Sequence, residues 1–172
     1  FLKVLRKAAP KNTIFSGDAC QLVYTGSFAF PVAKPRKWFY PAGFCALGNA
    51  LPNAIGAKLA KPDLPVVVLA GDGGFMFTMP ELLTAVESDL GIPVIIWENG
   101  GLKQIQDDMD LRDIVRVGVE EINPDFELLA KACHCKSFRS KSETDFLKQF
   151  KESIGSDKPT LIIINEEEEW LQ

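Results

Sequence analysis

Histidine occurs once, at His134, and cysteine four times, at Cys20, Cys45, Cys133 and Cys135. Cys133-His134-Cys135 invites a metal reading. Three adjacent ligands do not easily wrap one tetrahedral ion, and no second ligand pair stands elsewhere. The triplet therefore reads as a helix end running into a short strand. Free thiols in a protein of this composition point to a reducing cytoplasm. Long apolar runs are missing, so no transmembrane helix is expected. Residues 1–6 lack the sustained apolar region of a secretory signal. An excess of basic charge is missing too: 19 Lys and Arg against 23 Asp and Glu give a net charge of −4. With no basic stripe, nucleic acid is not the expected partner. The one basic-aromatic stretch, Lys34, Arg36, Lys37 and Trp38, reads as an exposed connection. There is no internal repeat, and no initiator Met. The chain is expected to be part of a longer polypeptide.

The 172 residues, 47% hydrophobic and 24% charged, suit one soluble domain with an ample core. Apolar segments at 13–16, 65–70, 92–97 and 160–164 read as strands, with short ones at 38–40 and 135–138. Segments with helical spacing lie between them, at 1–9, from about 20, at 51–60, 79–89, 102–109, 124–133 and 142–154. This alternation predicts an α/β fold, a three-layer α/β/α sandwich with a mostly parallel sheet. Within it, Gly56 is expected to mark close helix–sheet packing, Thr78 to cap the helix over 79–89, and Asn123 the helix over 124–133. Glu166 to Glu169 read as a solvated acidic tail.

Two strand ends carry the chemistry. Val66-Val67-Val68-Leu69 runs into Ala70-Gly71-Asp72-Gly73-Gly74-Phe75, and Val94-Ile95-Ile96-Trp97 into Glu98-Asn99-Gly100-Gly101. In an open α/β sheet, ligands bind outside the carboxyl ends of strands. Asp72 and Asn99 offer oxygen to a hard cation, and the glycines let backbone N–H groups approach a phosphate. The pattern predicts a site for a metal-bridged diphosphate.

Gly71-Asp72-Gly73 with Asn99, preceded by Gly43-Phe44-Cys45-Ala46-Leu47-Gly48-Asn49-Ala50-Leu51-Pro52-Asn53 and followed by Glu81-Leu82-Leu83-Thr84-Ala85, resembles the thiamine-diphosphate-dependent enzymes. The acetolactate synthase-like and 2-oxo-acid decarboxylase branch is the nearest match. The resemblance covers residues 13–165. It implies a single diphosphate-binding domain over 1–172, lacking the pyrimidine-binding domain with which such enzymes share the cofactor. It implies thiamine diphosphate and Mg²⁺, a small 2-oxo-acid substrate and a homodimer or homotetramer. The essential Glu would come from the pyrimidine domain, leaving no catalytic residue here and this chain alone inactive.

By the same resemblance, Asp72, Asn99 and the Gly101 carbonyl would hold the metal. Gly71, Gly73, Gly74 and Leu102 would line the cofactor. The turn Gly17-Asp18-Ala19 would touch the terminal phosphate, although Asp18 reads equally as a helix N-cap. The Cys45 carbonyl would receive the aminopyrimidine, Ala46 would flank it, and Leu47 would bend the cofactor. Glu98, where many relatives carry Asn, must point away or meet a basic group. Ile105 stands where some decarboxylases carry a carboxylate, and Lys103, Gln104 and Asp107 are candidates for substrate contact. Two other readings remain. A non-catalytic cofactor-binding or assembly module is compatible with the missing domain. A nucleotide-binding Rossmann domain would need G-x-G-x-x-G in the first turn, which Gly17-Asp18-Ala19-Cys20-Gln21-Leu22 lacks.

Overall fold

The computed structural model describes residues 1–120 and 122–172. In chain order the elements are α1 (Leu2–Ala8), β1 (Ile14–Gly17), α2 (Gln21–Ala29), β2 (Trp38–Phe39), α3 (Ala50–Ala60), β3 (Val66–Gly71), α4 (Asp72–Met76) and α5 (Glu81–Glu87). There follow β4 (Pro93–Glu98), α6 (Lys103–Leu111), α7 (Phe126–Ala132), β5 (Lys136–Arg139), α8 (Glu143–Ile154) and β6 (Thr160–Asn165). The six strands form one sheet in the order β2-β1-β3-β4-β6-β5, and every pair is parallel.

Runs of β-branched residues form β3, β4 and β6 because both faces of a parallel sheet are covered by helices. Val66, Val68 and Ala70 pack on one face with Ala50, Leu51 and Ala54 of α3, Phe75 of α4, Leu82 of α5 and Phe126 of α7. Val67 and Leu69 pack on the other with Leu5 of α1, Val23 of α2, and Phe146 and Phe150 of α8. This is the expected three-layer sandwich. Each fully buried Leu or Phe in it contributes about 1.5–3 kcal/mol by leaving water. Among the described residues, no helix is long and apolar enough to cross a membrane. Cys133 and Cys135 do join the end of α7 to β5, with His134 between them at φ 60°. No group of three or more His, Cys, Asp or Glu among the described residues could hold a metal.

Several local expectations are corrected. The glycine-rich stretch after β3 is helical: α4 starts on Asp72, directly after the strand. Gly56 is exposed, and a Cβ there would meet nothing within 4 Å, so it marks no close packing. Thr78 does not cap α5: its hydroxyl donates to the Gly48 carbonyl at 2.6 Å, and Pro80 occupies the N-cap position. The N-cap of α7 is Asp125, whose carboxylate accepts from Glu127 N and Leu128 N at 3.0 Å, two residues beyond Asn123. Ser142 caps α8 through Asp145 N at 3.0 Å.

Topology sets where a ligand can go. The chain leaves β1 for β2 on one side and later returns to β3 on the other. The carboxyl ends of β1 and β3 therefore flank a switch point, where the loops diverge and leave a crevice. The next strand, β4, ends beside them, with Gly71 paired to Trp97.

Candidate functional site

A cavity of about 260 Å³ lies at this switch point, lined by residues that include Ala19, Cys45, Leu47, Gly74, Asn99 and Gly101. Gly71 and Leu102 also reach it. Glycine permits the close assembly of its loops. A Cβ on Gly74 would lie 3.1 Å from Asp18 Oδ2 and 3.5 Å from Leu47 Cδ2, and one on Gly71 would lie 3.1 Å from the Cys20 Cβ. Gly48 is constrained twice: its φ is +79°, and a Cβ would fall 2.7 Å from that of Phe77.

Asp72 is the centre of the arrangement. Its carboxylate is fully buried. Oδ2 accepts from Asn99 N at 3.0 Å, Gly100 N at 2.7 Å, Gly101 N at 3.3 Å and Asn123 Nδ2 at 2.8 Å. Oδ1 accepts from Gly73 N at 2.9 Å. One oxygen thus ties the loop after β4 to the end of β3, and the other keeps acceptor capacity. The positive φ of Gly100 (84°) and Gly101 (114°) turns successive N–H groups of that loop inward. The two remote motifs do converge, and the link is backbone to carboxylate.

The Asn99 side chain is turned so that Nδ2 donates to Gln21 Oε1 at 3.1 Å and Glu166 Oε2 at 2.9 Å. Glu166 also accepts from Trp97 Nε1 at 2.8 Å. It is therefore a working part of the strand-end cluster, correcting the solvated-tail expectation. Its backbone N–H donates to the Glu98 carbonyl at 3.0 Å, continuing the β4–β6 ladder beyond β6. Asn123, expected as a helix cap, lies on Asp72 instead, and its Oδ1 is buried with no hydrogen-bond partner among the described residues.

Asp18 neither caps α2 nor faces outward as an N-terminal carboxylate: the N-cap position belongs to Cys20. Its buried carboxylate accepts from Ala19 N at 2.8 Å, from Gly48 N at 2.8 and 3.1 Å, and from Asn49 Nδ2 at 3.3 Å. Burial raises its pKa against the opposing pull of these backbone donors. It fastens the 43–48 loop to the end of β1, so its charge is engaged by that loop. Burial pushes the neighbouring Cys20 thiol to about 12, which keeps it protonated and unreactive at neutral pH.

Cys45 adopts φ 52°, a left-handed conformation that suits glycine better than a side chain. Its thiol is 3.6 Å from the Tyr40 hydroxyl. Ala46 is exposed, and its carbonyl accepts from Asn49 Nδ2 at 2.6 Å. On α6, Lys103, Gln104 and Ile105 border the cavity, whereas Asp107 is turned to Lys103 at 3.1 Å and to Gln21 Nε2 at 2.9 Å.

Glu98 meets a basic group. Arg139, at the end of β5, reaches across β6 to place Nη1 2.6 Å from Glu98 Oε2, with Glu127 Oε2 3.6 Å from its Nε. The hydrogen bond to Glu98 raises the Arg139 pKa further, so the guanidinium keeps its charge beside Glu98.

Sequence reasoning missed Gln21, Asn123, Arg139 and Glu166. Only the parallel topology could have indicated Glu166 and Arg139: both follow or end strands whose carboxyl ends share one edge of the sheet with Asn99. Nothing local marks Asn123, which is 51 residues from Asp72.

Comparison with known proteins agrees with this geometry. The chain is 43% identical over 156 residues to a probable 2-ketoarginine decarboxylase from Pseudomonas aeruginosa, covering 90% of this chain and 28% of that protein. It is 33% identical over 157 residues to a probable acetolactate synthase large subunit from Methanococcus aeolicus, covering 88% and 26%. The chain thus spans little more than a quarter of the length of these relatives. Among solved structures, a thiamine diphosphate-dependent 4-hydroxybenzoylformate decarboxylase from Rhodococcus jostii superposes with a TM-score of 0.88 at 26% identity, covering 95% of this chain and 31% of that one. The family described as thiamine pyrophosphate enzyme, C-terminal TPP binding domain, matches residues 18–164. An all-parallel sheet whose β3 and β4 ends are joined through Asp72 is thus found in a chain that belongs to the C-terminal TPP-binding domain family of thiamine pyrophosphate enzymes.

Proposed function

We propose that this chain is the diphosphate-binding domain of a longer enzyme that uses thiamine diphosphate and Mg²⁺ to act on 2-oxo acids, by decarboxylation or carboligation. The observation that carries the reading is the junction of Asp72 with the 99–101 backbone at the switch point. The donor set fits a small hard cation: Asp72 Oδ1, Asn99 Oδ1 and the Gly101 carbonyl are oxygen, the ligand type Mg²⁺ takes alongside phosphate and water. A buried oxygen with no partner among the described residues, Asn123 Oδ1, beside the same carboxylate adds to the oxygen-rich character of the place.

Gly17, Ala19, Gly71, Gly73, Gly74 and Leu102 would surround the diphosphate. Asp18 would act on it indirectly, by fixing the 43–48 loop. The Cys45 carbonyl would receive the aminopyrimidine with Ala46 beside it, and Leu47, which lines the cavity, would support the bend of the cofactor. Bound thiamine diphosphate supplies an electron sink for the carbon that loses CO₂. The residues of this chain hold it, orient it and wall one side from water. A cavity of about 260 Å³ falls short of the roughly 300–1,000 Å³ usual for a complete ligand site. That shortfall supports a site shared with a pyrimidine-binding domain, in a homodimer or homotetramer, with the essential Glu on that other domain. Four free thiols support a cytoplasmic setting.

The relative named as a probable 2-ketoarginine decarboxylase supports a 2-oxo acid with a guanidino side chain as substrate. The test is CO₂ release by the full-length protein from pyruvate, branched, aromatic and guanidino 2-oxo acids, each with and without thiamine diphosphate and Mg²⁺. Release that requires both cofactors and is fastest with the guanidino acid is the expected result. Cofactor binding with no CO₂ release from any acid, and no carboligation, would leave the non-catalytic module.

The Glu98–Arg139 pair yields a second expectation. Glu98 adds a negative charge next to the residue proposed to face a metal diphosphate, and Arg139 offsets it at 2.6 Å. Arg139→Ala is expected to weaken thiamine diphosphate binding several-fold, more at low salt than at high, because the bare carboxylate repels the anion. Adding Glu98→Gln to Arg139→Ala should restore binding. Calorimetry at two ionic strengths checks both, and a double variant no better than the single one would assign Arg139 another role.

A further inference from the structure

We propose that Glu166 is a positioning residue for the cofactor metal, holding the Asn99 amide so that its oxygen is the atom turned to the ion. This rests on the assignment of Asn99 as a metal ligand made above. An asparagine amide presents an acceptor and a donor group of nearly the same shape, and the network around it decides which faces where. Here the network starts from groups whose polarity is fixed. The Trp97 indole N–H can only donate, and it does so to Glu166 Oε2 at 2.8 Å. The Asp107 carboxylate, paired with Lys103 at 3.1 Å, can only accept, and it takes Gln21 Nε2 at 2.9 Å.

Gln21 is thereby forced to turn its oxygen to Asn99. Both N–H bonds of the Asn99 amide then have acceptors, Gln21 Oε1 at 3.1 Å and Glu166 Oε2 at 2.9 Å. Flipping the amide would bring its oxygen against both of these oxygens. Asn99 Oδ1 is left as the free end of a side chain whose other end is clamped. Glu166 is the stronger clamp, since a hydrogen bond to a charged acceptor is about twice as strong as one between neutral groups. It is also placed by the sheet itself, one residue beyond β6 and hydrogen-bonded to the Glu98 carbonyl.

The experiment uses the full-length protein and titrates Mg²⁺ at fixed thiamine diphosphate by calorimetry, for wild type, Glu166→Ala, Glu166→Gln and Asn99→Ala. Glutamine keeps an oxygen that can accept from both Trp97 and Asn99, whereas alanine keeps none. Glu166→Ala is expected to weaken Mg²⁺ binding by about 10- to 100-fold, the usual effect of losing a group that orients a ligand. Glu166→Gln is expected to stay within about threefold of wild type, because orientation survives without the charge. Thermal unfolding without cofactor monitors folding of each variant. Unchanged Mg²⁺ affinity in Glu166→Ala, with a loss in Asn99→Ala, would overturn the positioning role alone. Equal loss in Glu166→Ala and Glu166→Gln would overturn it in favour of a charge effect. No loss in Asn99→Ala would remove the metal assignment on which it rests.

Discussion

Replacing Asp72 is expected to abolish Mg²⁺-dependent binding of thiamine diphosphate, and two replacements should do so in physically different ways. Asp72→Ala removes both oxygens. The N–H groups of Asn99, Gly100 and Gly101 and the Asn123 amide lose their common acceptor in a buried place. An unpaired buried donor costs about 1–3 kcal/mol, and partial hydration of the loop absorbs some of the total. A destabilisation of about 2–4 kcal/mol is expected, together with a loss of metal affinity beyond about 100-fold. Asp72→Asn behaves otherwise. Its oxygen can take the place of Oδ2 and keep the loop after β4 attached, which turns an NH₂ group to the side where the cation would sit. The Gly73 N–H then loses its acceptor, at about 1–2 kcal/mol. This variant should fold nearly as wild type and still fail to bind Mg²⁺. Thermal unfolding beside calorimetry, both on the full-length protein, separates the two roles. Mg²⁺-dependent binding retained in Asp72→Asn would overturn the ligand assignment while leaving the architectural one standing.

That dual role explains how much of the molecule could be read in advance. The strands were legible because valine and isoleucine runs buried on both faces leave little other option, as in β3, β4 and β6. Asp72 and Asn99 were legible because each follows such a run beside glycine, and the architecture places strand ends where ligands bind. Residues acting across the fold were not legible. Asn123 has the composition of a cap, and Asp125 makes a better one, so local chemistry had no means of sending it to Asp72. Glu166 sits in an acidic run that looks solvated. Its partners Trp97 and Asn99 lie 69 and 67 residues away and become neighbours only because β6 inserts beside β4. Asp18 misled for a related reason. A carboxylate before a helix usually caps it, but here the 43–48 loop offers Gly48 N at 2.8 Å, and the cap position passes to Cys20. For Glu98 the sequence left two options, pointing away or meeting a basic group, and only the order β4-β6-β5 shows that Arg139 provides the second.

The largest expected effect away from the site concerns Gly91, just before β4. A Cβ there would lie 1.8 Å from the Ser156 carbonyl oxygen and 2.9 Å from its carbon. Both obstacles are backbone, so no rotamer change relieves the overlap. The chain around Ser156 leads directly into β6, whose first residue donates from Thr160 N to the Ile92 carbonyl at 3.1 Å. Moving either segment aside pulls on the start of the β4–β6 pairing, at Pro93 and Thr160. Gly91→Ala is therefore expected to destabilise the protein by about 3 kcal/mol, the upper part of the range for overpacking. At roughly 2–4 °C per kcal/mol for a domain of this size, the midpoint should fall by about 6–12 °C. Gly56→Ala is the matched control: the same added methyl meets open space on the outer side of α3 and should stabilise by about 0.5–1 kcal/mol through helix propensity. Gly91 precedes β4 at the amino ends of the strands, opposite the strand-end cavity. Thiamine diphosphate affinity measured well below the midpoint should therefore stay at the wild-type value. A Gly91→Ala protein that melts with the wild type would mean that the close approach to Ser156 is not kept in solution. One that melts early and also binds the cofactor poorly would show that β4–β6 pairing at one end of the sheet sets the position of Asn99 and Glu166 at the other.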